Sequence, residues 1–301
     1  MKPAALLCLF ALALSPSLRA ADGPPDEAAA LAKYQQLIST LKYRDGEIAL
    51  SGGIAKLKLP PTLRYLGPED AATVLERIWG NPPARKKSLG MLVPAGVSFI
   101  EPGAWAVIIS YQEDGYVKDD DASKINYDDL LKQMREGVKA SNEERVKQGY
   151  PGIELIGWAA PPRYDAAEKK MYWAKEAKIG GGPENTLNYD IRVLGRRGVL
   201  VLSAIAGMSQ LADIEAATPM LLGAVDFQEG HRYSDFKPGT DKVATYGLAA
   251  LVAGGVLAKT GFLKVLIAGL LAAKKFVIIG IIAVVGVVKK FFGGNTRPPE
   301  E

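Results

Sequence analysis

A long apolar segment near the C terminus constrains this chain more than any other feature of its sequence. Three uncharged runs, 245–258, 265–273 and 276–288, are separated by short stretches that contain lysine. None of these runs reaches the roughly 18 residues of an uninterrupted membrane span. A lysine at the bilayer centre costs about 2.5–3.5 kcal/mol on insertion scales, which disfavours one straight helix centred on Lys274 and Lys275. The pattern predicts a membrane anchor over 242–292, followed by a polar tail over 293–301.

A helical hairpin explains the anchor better than a single helix does. One helix would cover 246–271, the lysine pair would lie at the turn, and the second helix would cover 276–292. Small residues in the first helix allow the two helices to approach closely in lipid. One membrane span, or a buried helix pair in a soluble protein, remains the alternative. The residues assigned to the anchor and its ends are Tyr246, Gly254, Gly255, Lys274, Lys275, Lys289 and Lys290.

The N terminus is typical of a secretory signal peptide. Lys2 precedes an apolar run over 4–14, and the residues that follow are mostly small, with Pro16 among them. An apolar run of this length is too short to span a bilayer. We therefore predict a signal peptide over 1–20 and export of the soluble part from the cytoplasm, to the periplasmic side of an inner membrane.

The charge distribution argues against a nucleic-acid-binding protein. The chain has 37 basic and 33 acidic residues. Residues 1–20 hold two of the basic residues, and 242–301 hold eight basic and two acidic ones, so residues 21–241 keep 27 basic and 31 acidic residues, a net charge of −4. The excess of positive charge belongs to the C-terminal region, whereas nucleic-acid binding needs a basic folded face. Membrane lipids, and possible envelope proteins, are the expected partners.

Few residues of the chain suit familiar catalytic chemistry. Cys8 is the single cysteine and lies in the predicted signal peptide, and His231 is the single histidine. A disulfide framework, a zinc site with several histidines and a Ser-His-Asp triad therefore lack their parts. We predict no cofactor, no catalytic residues and no enzymatic activity.

The middle of the chain alternates between helical and strand-like periodicity. Short turns between the strands predict antiparallel pairing. We expect an α+β fold with mostly antiparallel sheets and packed helices, in two exported regions, 21–150 and 151–241, in addition to the transmembrane segment. The predicted helices are 26–43, 68–79, 126–147 and 209–222, and the predicted strands are 47–51, 54–59, 89–93, 105–111, 153–158, 171–179, 187–194, 199–206 and 224–227.

Several short motifs together resemble one bacterial family, the domain-of-unknown-function family 2167, described as predicted membrane-anchored proteins. The resemblance covers nearly the whole mature chain. It implies a signal peptide, an exported domain and a C-terminal membrane anchor, and it implies no catalytic residues. The motifs are Tyr65-Leu66, Trp79-Gly-Asn-Pro-Pro83, Gly115-Tyr-Val-Lys-Asp-Asp-Asp121, Ile125-Asn-Tyr127, Leu187-Asn-Tyr-Asp-Ile-Arg192, Leu194-Gly-Arg-Arg-Gly198, Tyr233-Ser-Asp-Phe236 and Tyr246-Gly-Leu-Ala-Ala-Leu251.

Two polar groups in the sequence are candidates for binding sites. The acidic stretch 113–129 includes Asp119, Asp120 and Asp121, which are weak candidates for metal ligands. Calcium loops take oxygens from alternating positions, and consecutive aspartates diverge, so we expect a solvated loop before a helix. The pair Arg196–Arg197 in a tight turn could contact an anionic headgroup or a partner, with a solvated turn as the alternative.

Three functions remain compatible with these observations. The favoured hypothesis is a membrane-anchored exported domain of unknown activity that binds a partner or acts in envelope maintenance. The first alternative is a component of a membrane transport or secretion assembly. The second is a carboxylate-dependent enzyme that acts on envelope material.

Overall fold

The computed structural model describes residues 27–84, 87–101, 104–181 and 184–253. These residues form an α+β fold, as predicted. The strands are β1 (Tyr43–Arg44), β2 (Glu47–Ala49), β3 (Ala55–Lys58), β4 (Leu63–Leu66), β5 (Gly90–Pro94), β6 (Ala106–Gln112), β7 (Ile153–Asp165), β8 (Lys170–Ile179), β9 (Thr186–Leu194), β10 (Val199–Gly207) and β11 (Val225–Phe227). The helices are α1 (Glu27–Ser39), α2 (Pro68–Ala72, continued by a π-helix over Thr73–Ile78), α3 (Tyr127–Lys147), α4 (Leu211–Ala224) and α5 (Leu248–Val252).

The strands form two antiparallel sheets. The larger has eight strands in the order β1-β4-β5-β6-β10-β9-β8-β7, and the smaller has three in the order β11-β3-β2. In the larger sheet β6 pairs with β10, from Gln112 opposite Val199 to Ala106 opposite Ile205. Both sheets take strands from 21–150 and from 151–241, so the two regions share their sheets. Turn lengths predict local pairing, but they do not show which distant strands meet.

The two faces of the eight-stranded sheet differ in what they bury. On the first face, Leu187 and Ile191 of β9 join a core with Ile214 of α4 and with Leu57 and Val225 of the small sheet. The second face has an apolar part over β5 and β6, packed on α1 and α2. Over β8, β9 and β10 the second face carries Lys175, Asn188, Asp190, Arg192 and Ser203, because cross-strand partners point to the same side.

Helix α3 follows its sequence pattern closely. Asn126 is the N-cap and accepts hydrogen bonds from the backbone N–H groups of Asp128 and Asp129, at 3.1 and 3.2 Å. Leu130, Met134 and Val138, which are spaced about one helical turn apart, are buried. Val146 is 57% exposed, because it lies in the last turn, beyond the part of the helix that packs on the sheet.

Strand β7 is longer than predicted and lies at the edge of the large sheet. It continues through Pro161 and Pro162 to Asp165, with three register shifts against β8. An edge strand tolerates proline, because its outer N–H groups have no neighbouring strand. Arg135 and Asn142 of α3 bond to backbone atoms of 153–156 and so cover part of this edge.

The first part of the chain contains two strands that the sequence pattern did not indicate. β1 and β4 pair with each other, and β4 also pairs with β5. The helix predicted for 26–43 ends at Ser39, and its last predicted residue, Tyr43, begins β1. The predicted hairpin of β2 and β3 is confirmed, with Gly52 and Gly53 at φ values of +82° and +64° in its turn.

The chain divides into two compact units, Met1–Gly255 and Val256–Glu301. The second unit lies outside the described residues, as do the signal peptide predicted for 1–20 and the greater part of the predicted anchor. Within the described ranges, no helix combines the length and the apolar character that crossing a membrane requires.

Candidate functional site

The acidic loop (residues 113–121) and the C-terminal segment (residues 228–253) are joined backbone to backbone, and we call this contact the junction. The N–H of Tyr116 donates to the carbonyl of Lys242, and the N–H of Ala244 donates to the carbonyl of Tyr116, both at 2.8 Å. Gly115 has a φ of +108°, and a Cβ at this position would lie 2.7 Å from the carbonyl oxygen of Lys242. The junction therefore requires glycine at 115, both for its backbone angle and for its lack of a side chain.

Asp119 is the centre of a hydrogen-bonded group at the junction. Its carboxylate accepts hydrogen bonds from Tyr164 at 2.6 Å, from Lys169 at 2.8 Å and from Tyr233 at 3.1 Å. Burial alone would raise the pKa of Asp119, but the hydrogen bonds from Lys169, Tyr164 and Tyr233 and the lysine charge lower it. The pKa values of Tyr164 and Tyr233 are raised, first by burial. Asp119 therefore stays ionised and fixes residues from three parts of the chain.

Aromatic rings stack beside this carboxylate. The ring of Tyr116 lies between those of Tyr233 and Phe236, at centroid distances of 4.3 and 3.9 Å. The ammonium of Lys169 lies 5.1 Å from the centroid of Tyr233. Lys169 is also the one non-glycine residue with a positive φ in the described part of the chain, at +55°. The stack ties the acidic loop to the C-terminal segment independently of the backbone bonds.

Two further carboxylates of the acidic loop bind the last described residues. Asp121 accepts hydrogen bonds from the N–H groups of Leu248 and Ala249, at 3.1 and 3.4 Å. Asp114 accepts one from the hydroxyl of Tyr246 at 2.5 Å, and burial together with this bond raises the pKa of Tyr246. Leu248, Leu251 and Val252 are buried. The first residues assigned to the anchor thus pack against the folded unit, while Gly254, Gly255, Lys274, Lys275, Lys289 and Lys290 lie outside the described residues.

The three consecutive aspartates diverge, as expected, but the loop is less solvated than predicted. Asp119 and Asp121 bind different partners, and Asp120 is exposed. Within the described ranges, no group of three or more histidine, cysteine, aspartate or glutamate side chains is arranged to hold a metal ion. Asp119 binds Tyr233 of the C-terminal segment as well as Tyr164 and Lys169. Asp121 binds the backbone of Leu248 and Ala249 in the same segment.

The pair Arg196–Arg197 does not form a free basic turn. The guanidinium of Arg196 makes two hydrogen bonds to Asp241, at 2.7 and 2.9 Å. These bonds lower the pKa of Asp241 to about 2 and raise that of Arg196. Arg197 remains half exposed, 3.8 Å from the same carboxylate. An anionic partner would therefore meet one arginine at this turn, since the other is committed to the C-terminal segment.

A second polar group, the buried charge cluster, consists of Lys175, Asp190, Arg192 and Ser203 on the second face. Asp190 lies 2.7 Å from the ammonium of Lys175 and 3.2 Å from the guanidinium of Arg192, and it accepts a hydrogen bond from Ser203 at 2.6 Å. Burial would raise the pKa of Asp190, but the two cations and Ser203 lower it to about 2. Arg192 also lies over the ring of Trp173, 4.9 Å from its centroid.

The sequence gives no sign of this cluster, although the alternation of β9 puts Asn188, Asp190 and Arg192 on one face. All nine residues of β9 are buried. Alternation identifies which side chains share a face, but an alternating polar face is ordinarily wet. A buried strand with charges on one side carries no distinct local signal.

Four of the motifs that carry the family resemblance meet at the junction. The loop 115–121 contacts 233–236 and 246–249, and the N–H of Gly115 donates to the carbonyl of Arg197 within 194–198. His231 contributes its backbone carbonyl, which accepts a hydrogen bond from the N–H of Arg196. These motifs are visible in the sequence, but only the fold shows that they meet at the junction.

Comparisons with known proteins identify a family but no activity. A family model described as "Protein of unknown function (DUF2167)" matches residues 42–285. Among curated proteins, none matches the chain. Among solved structures, the chain is similar to cyanobacterial PsbP (CyanoP) from Synechocystis sp. PCC 6803, with 11% identity and a TM-score of 0.32, over 62% of this chain and 92% of that one. It is also similar to the Ran-binding protein Mog1p of Saccharomyces cerevisiae, with 11% identity and a TM-score of 0.30, over 66% of this chain and 100% of that one. At these scores, neither likeness adds to an argument about function.

Proposed function

We propose that this chain, which belongs to the DUF2167 family of proteins of unknown function, is an exported binding or envelope-maintenance domain held at a membrane by its C-terminal region. The observation that carries the proposal is the junction. Residues 242–253 lead directly into the apolar stretch, and the acidic loop fixes them through backbone bonds, through Asp114 and through Asp121.

The acidic loop fixes the last described residues of the domain, and the rest of the predicted anchor follows them. The C-terminal segment is bonded at 242, 244, 246, 248 and 249, so the described part of the chain reaches Ala249 without a flexible linker. The junction therefore supports a folded domain whose chain is ordered into the first residues of the predicted anchor. Lipids of that membrane are the proposed partners of the tail.

The chemistry of the junction favours a structural role for its carboxylates over a catalytic one. Asp114, Asp119 and Asp121 each accept hydrogen bonds from the protein itself. A catalytic carboxylate needs an open side toward its substrate and a pKa near the working pH. The lowered pKa of Asp119 and its three protein donors are typical of a structural carboxylate.

Membrane attachment can be tested by truncation. A chain that ends at Ala253 keeps every described contact of the junction and loses the apolar stretch from Gly254 onward. We expect the full chain to stay in the membrane pellet after carbonate washing and the truncated chain to be recovered folded in the supernatant. Recovery of the truncated chain in the pellet would show that the anchor lies elsewhere.

Export can be tested by labelling with a maleimide that does not cross membranes. Since Cys8 is the only cysteine, a Val146→Cys variant places one reactive thiol on an exposed position of α3. We expect labelling in intact spheroplasts. Val107→Cys, at a buried position of β6, is the matched control and should react only after unfolding. Labelling of Val146→Cys only after lysis would place the domain in the cytoplasm.

A further inference from the structure

The buried charge cluster holds one more positive charge than negative charge. Lys175 and Arg192 share a single carboxylate, Asp190, and all three residues are less than a tenth exposed. In the described part of the chain, no other carboxylate lies within ion-pair distance of either cation. A net charge in a protein interior is unfavourable unless a counter-charge accompanies it.

Buried donors without acceptors lie around the same carboxylate. The Oδ2 of Asp190 makes no hydrogen bond but lies 2.7 Å from the ammonium of Lys175. The Nε–H of Arg192, the Nε1–H of Trp173 and the Nδ2 amide of Asn188 are also buried and have no hydrogen-bond partner. Buried polar groups of native proteins are nearly always paired, so unpaired ones call for an explanation such as a bound water or ion. All three atoms are donors, and what they lack is therefore an acceptor.

The side chains of the cluster cannot supply that acceptor themselves. Trp173 lies opposite Asp190 in the β8–β9 pairing, and Lys175 lies opposite Asn188. One oxygen of Asp190 faces Lys175, and the other accepts from Arg192 and Ser203. Since one oxygen already accepts two hydrogen bonds and the other is ion-paired with Lys175, a bound species is the remaining source of the acceptor.

We propose that the buried charge cluster binds one small monovalent anion of the halide class beside Arg192. A water molecule would satisfy a donor but would leave the excess positive charge, whereas an anion satisfies both. We take the ion to be small, because Met171 and Val201 on the same face are buried and would enclose it. Tyr246 lies near enough to Arg192 for the guanidinium charge to act on its hydroxyl, so the C-terminal segment borders this part of the second face.

The anion should be visible as halide-dependent stability of the full chain in detergent. Thermal unfolding is compared in sodium chloride, sodium bromide and sodium gluconate at equal ionic strength, gluconate being too large for the site. We expect the midpoint temperature to rise by about 5 °C and to saturate with chloride or bromide. An equal midpoint temperature in halide and gluconate overturns the proposal.

Variants separate the proposed site from a general salt effect. Trp173→Phe removes one donor and keeps the ring, and we expect it to need about ten-fold more halide for the same stabilisation. Trp79→Phe is the matched control, because Trp79 is equally buried but donates to the carbonyl of Phe99. The control should keep the halide midpoint of the natural chain, and a shift of equal size in both variants would contradict the assignment.

A carboxylate built into the cluster tests directly whether the excess positive charge is what binds the anion. Asn188→Asp introduces a carboxylate next to Lys175 and brings the charge of the cluster to zero. We expect this variant to lose its dependence on halide and to unfold in gluconate near the temperature of the halide-loaded natural chain. Crystals of the full chain grown with bromide should show an anomalous peak beside Arg192. Retained halide dependence in Asn188→Asp, or a missing peak, overturns the proposal.

Discussion

The two sides of strand β9 are both buried, yet they are stabilised in opposite ways. Leu187 and Ile191 pack into an apolar core against α4 and the small sheet, where the gain comes from apolar area removed from water. Asp190 and Arg192 alternate with them and are equally buried, but their stability depends on mutual pairing with Lys175 and Ser203. Alternation of apolar and polar residues therefore separates the two faces of a strand, but it does not show which face is exposed to solvent.

The largest expected effect compares two neighbouring residues, one on each face. Asp190→Asn keeps the shape of the side chain but leaves two buried cations without their carboxylate, and we expect it to lower the free energy of unfolding by about 3–5 kcal/mol. Ile191→Val removes one methylene from the apolar core and should cost about 0.5–1.5 kcal/mol. Urea unfolding of the full chain in detergent measures both values. If Asp190→Asn cost no more than Ile191→Val, the second face would not depend on its charges.

The sequence predicts those elements whose causes are local. Helix α3 has its N-cap, Asn126, and its apolar stripe within one stretch, and strands β8, β9 and β10 show alternation and short turns. Strands β1 and β4 were missed because they are short and are stabilised by partners elsewhere in the sheet. Local periodicity cannot show such pairing.

The junction shows why sites are harder to predict than elements. The acidic loop was noticed for its composition, but its partners lie far along the chain: Tyr233 follows Asp119 by 114 residues, and Leu248 follows Asp121 by 127. A solvated loop was the expectation for these carboxylates, with a metal site as the weaker alternative, and the fold shows Asp119 and Asp121 bound to the C-terminal segment. Likewise, Arg196 looked exposed in a tight turn until Asp241 was found beside it.

Acid should weaken the second face more than the first. Burial alone would raise the pKa of Asp190. The charges of Lys175 and Arg192 outweigh this effect and lower the pKa from 3.8 to about 2. A carboxylate with a lower pKa in the folded state contributes stability that is present above its unfolded pKa and is lost as the pH falls through the folded one. We therefore expect about 2 kcal/mol of unfolding free energy to disappear between about pH 4 and pH 2.

Two variants assign this acid loss to a face. Asp190→Asn removes the titrating group, so its unfolding free energy should depend less on pH in this range. Ile191→Val leaves the group in place and should retain the whole loss. The measurement is a series of urea unfolding curves at fixed ionic strength. A loss of equal size in both variants would show that other carboxylates, such as Asp119 with its lowered pKa, account for it.

The smallest expected effect concerns the segment that borders the second face. Asp121→Ala removes the acceptor for the N–H groups of Leu248 and Ala249 and should lower the free energy of unfolding by about 1 kcal/mol, as the loss of a helix cap does. Asp120→Ala alters an exposed neighbour and should stay within about 0.5 kcal/mol of the natural chain. Because Asp121 holds only the C-terminal segment, amide exchange should accelerate at Leu248 and Ala249 and remain unchanged in α4, which covers the first face. Faster exchange in both places would mean that the two faces unfold as one unit, and the contrast between them would then concern chemistry but not local stability.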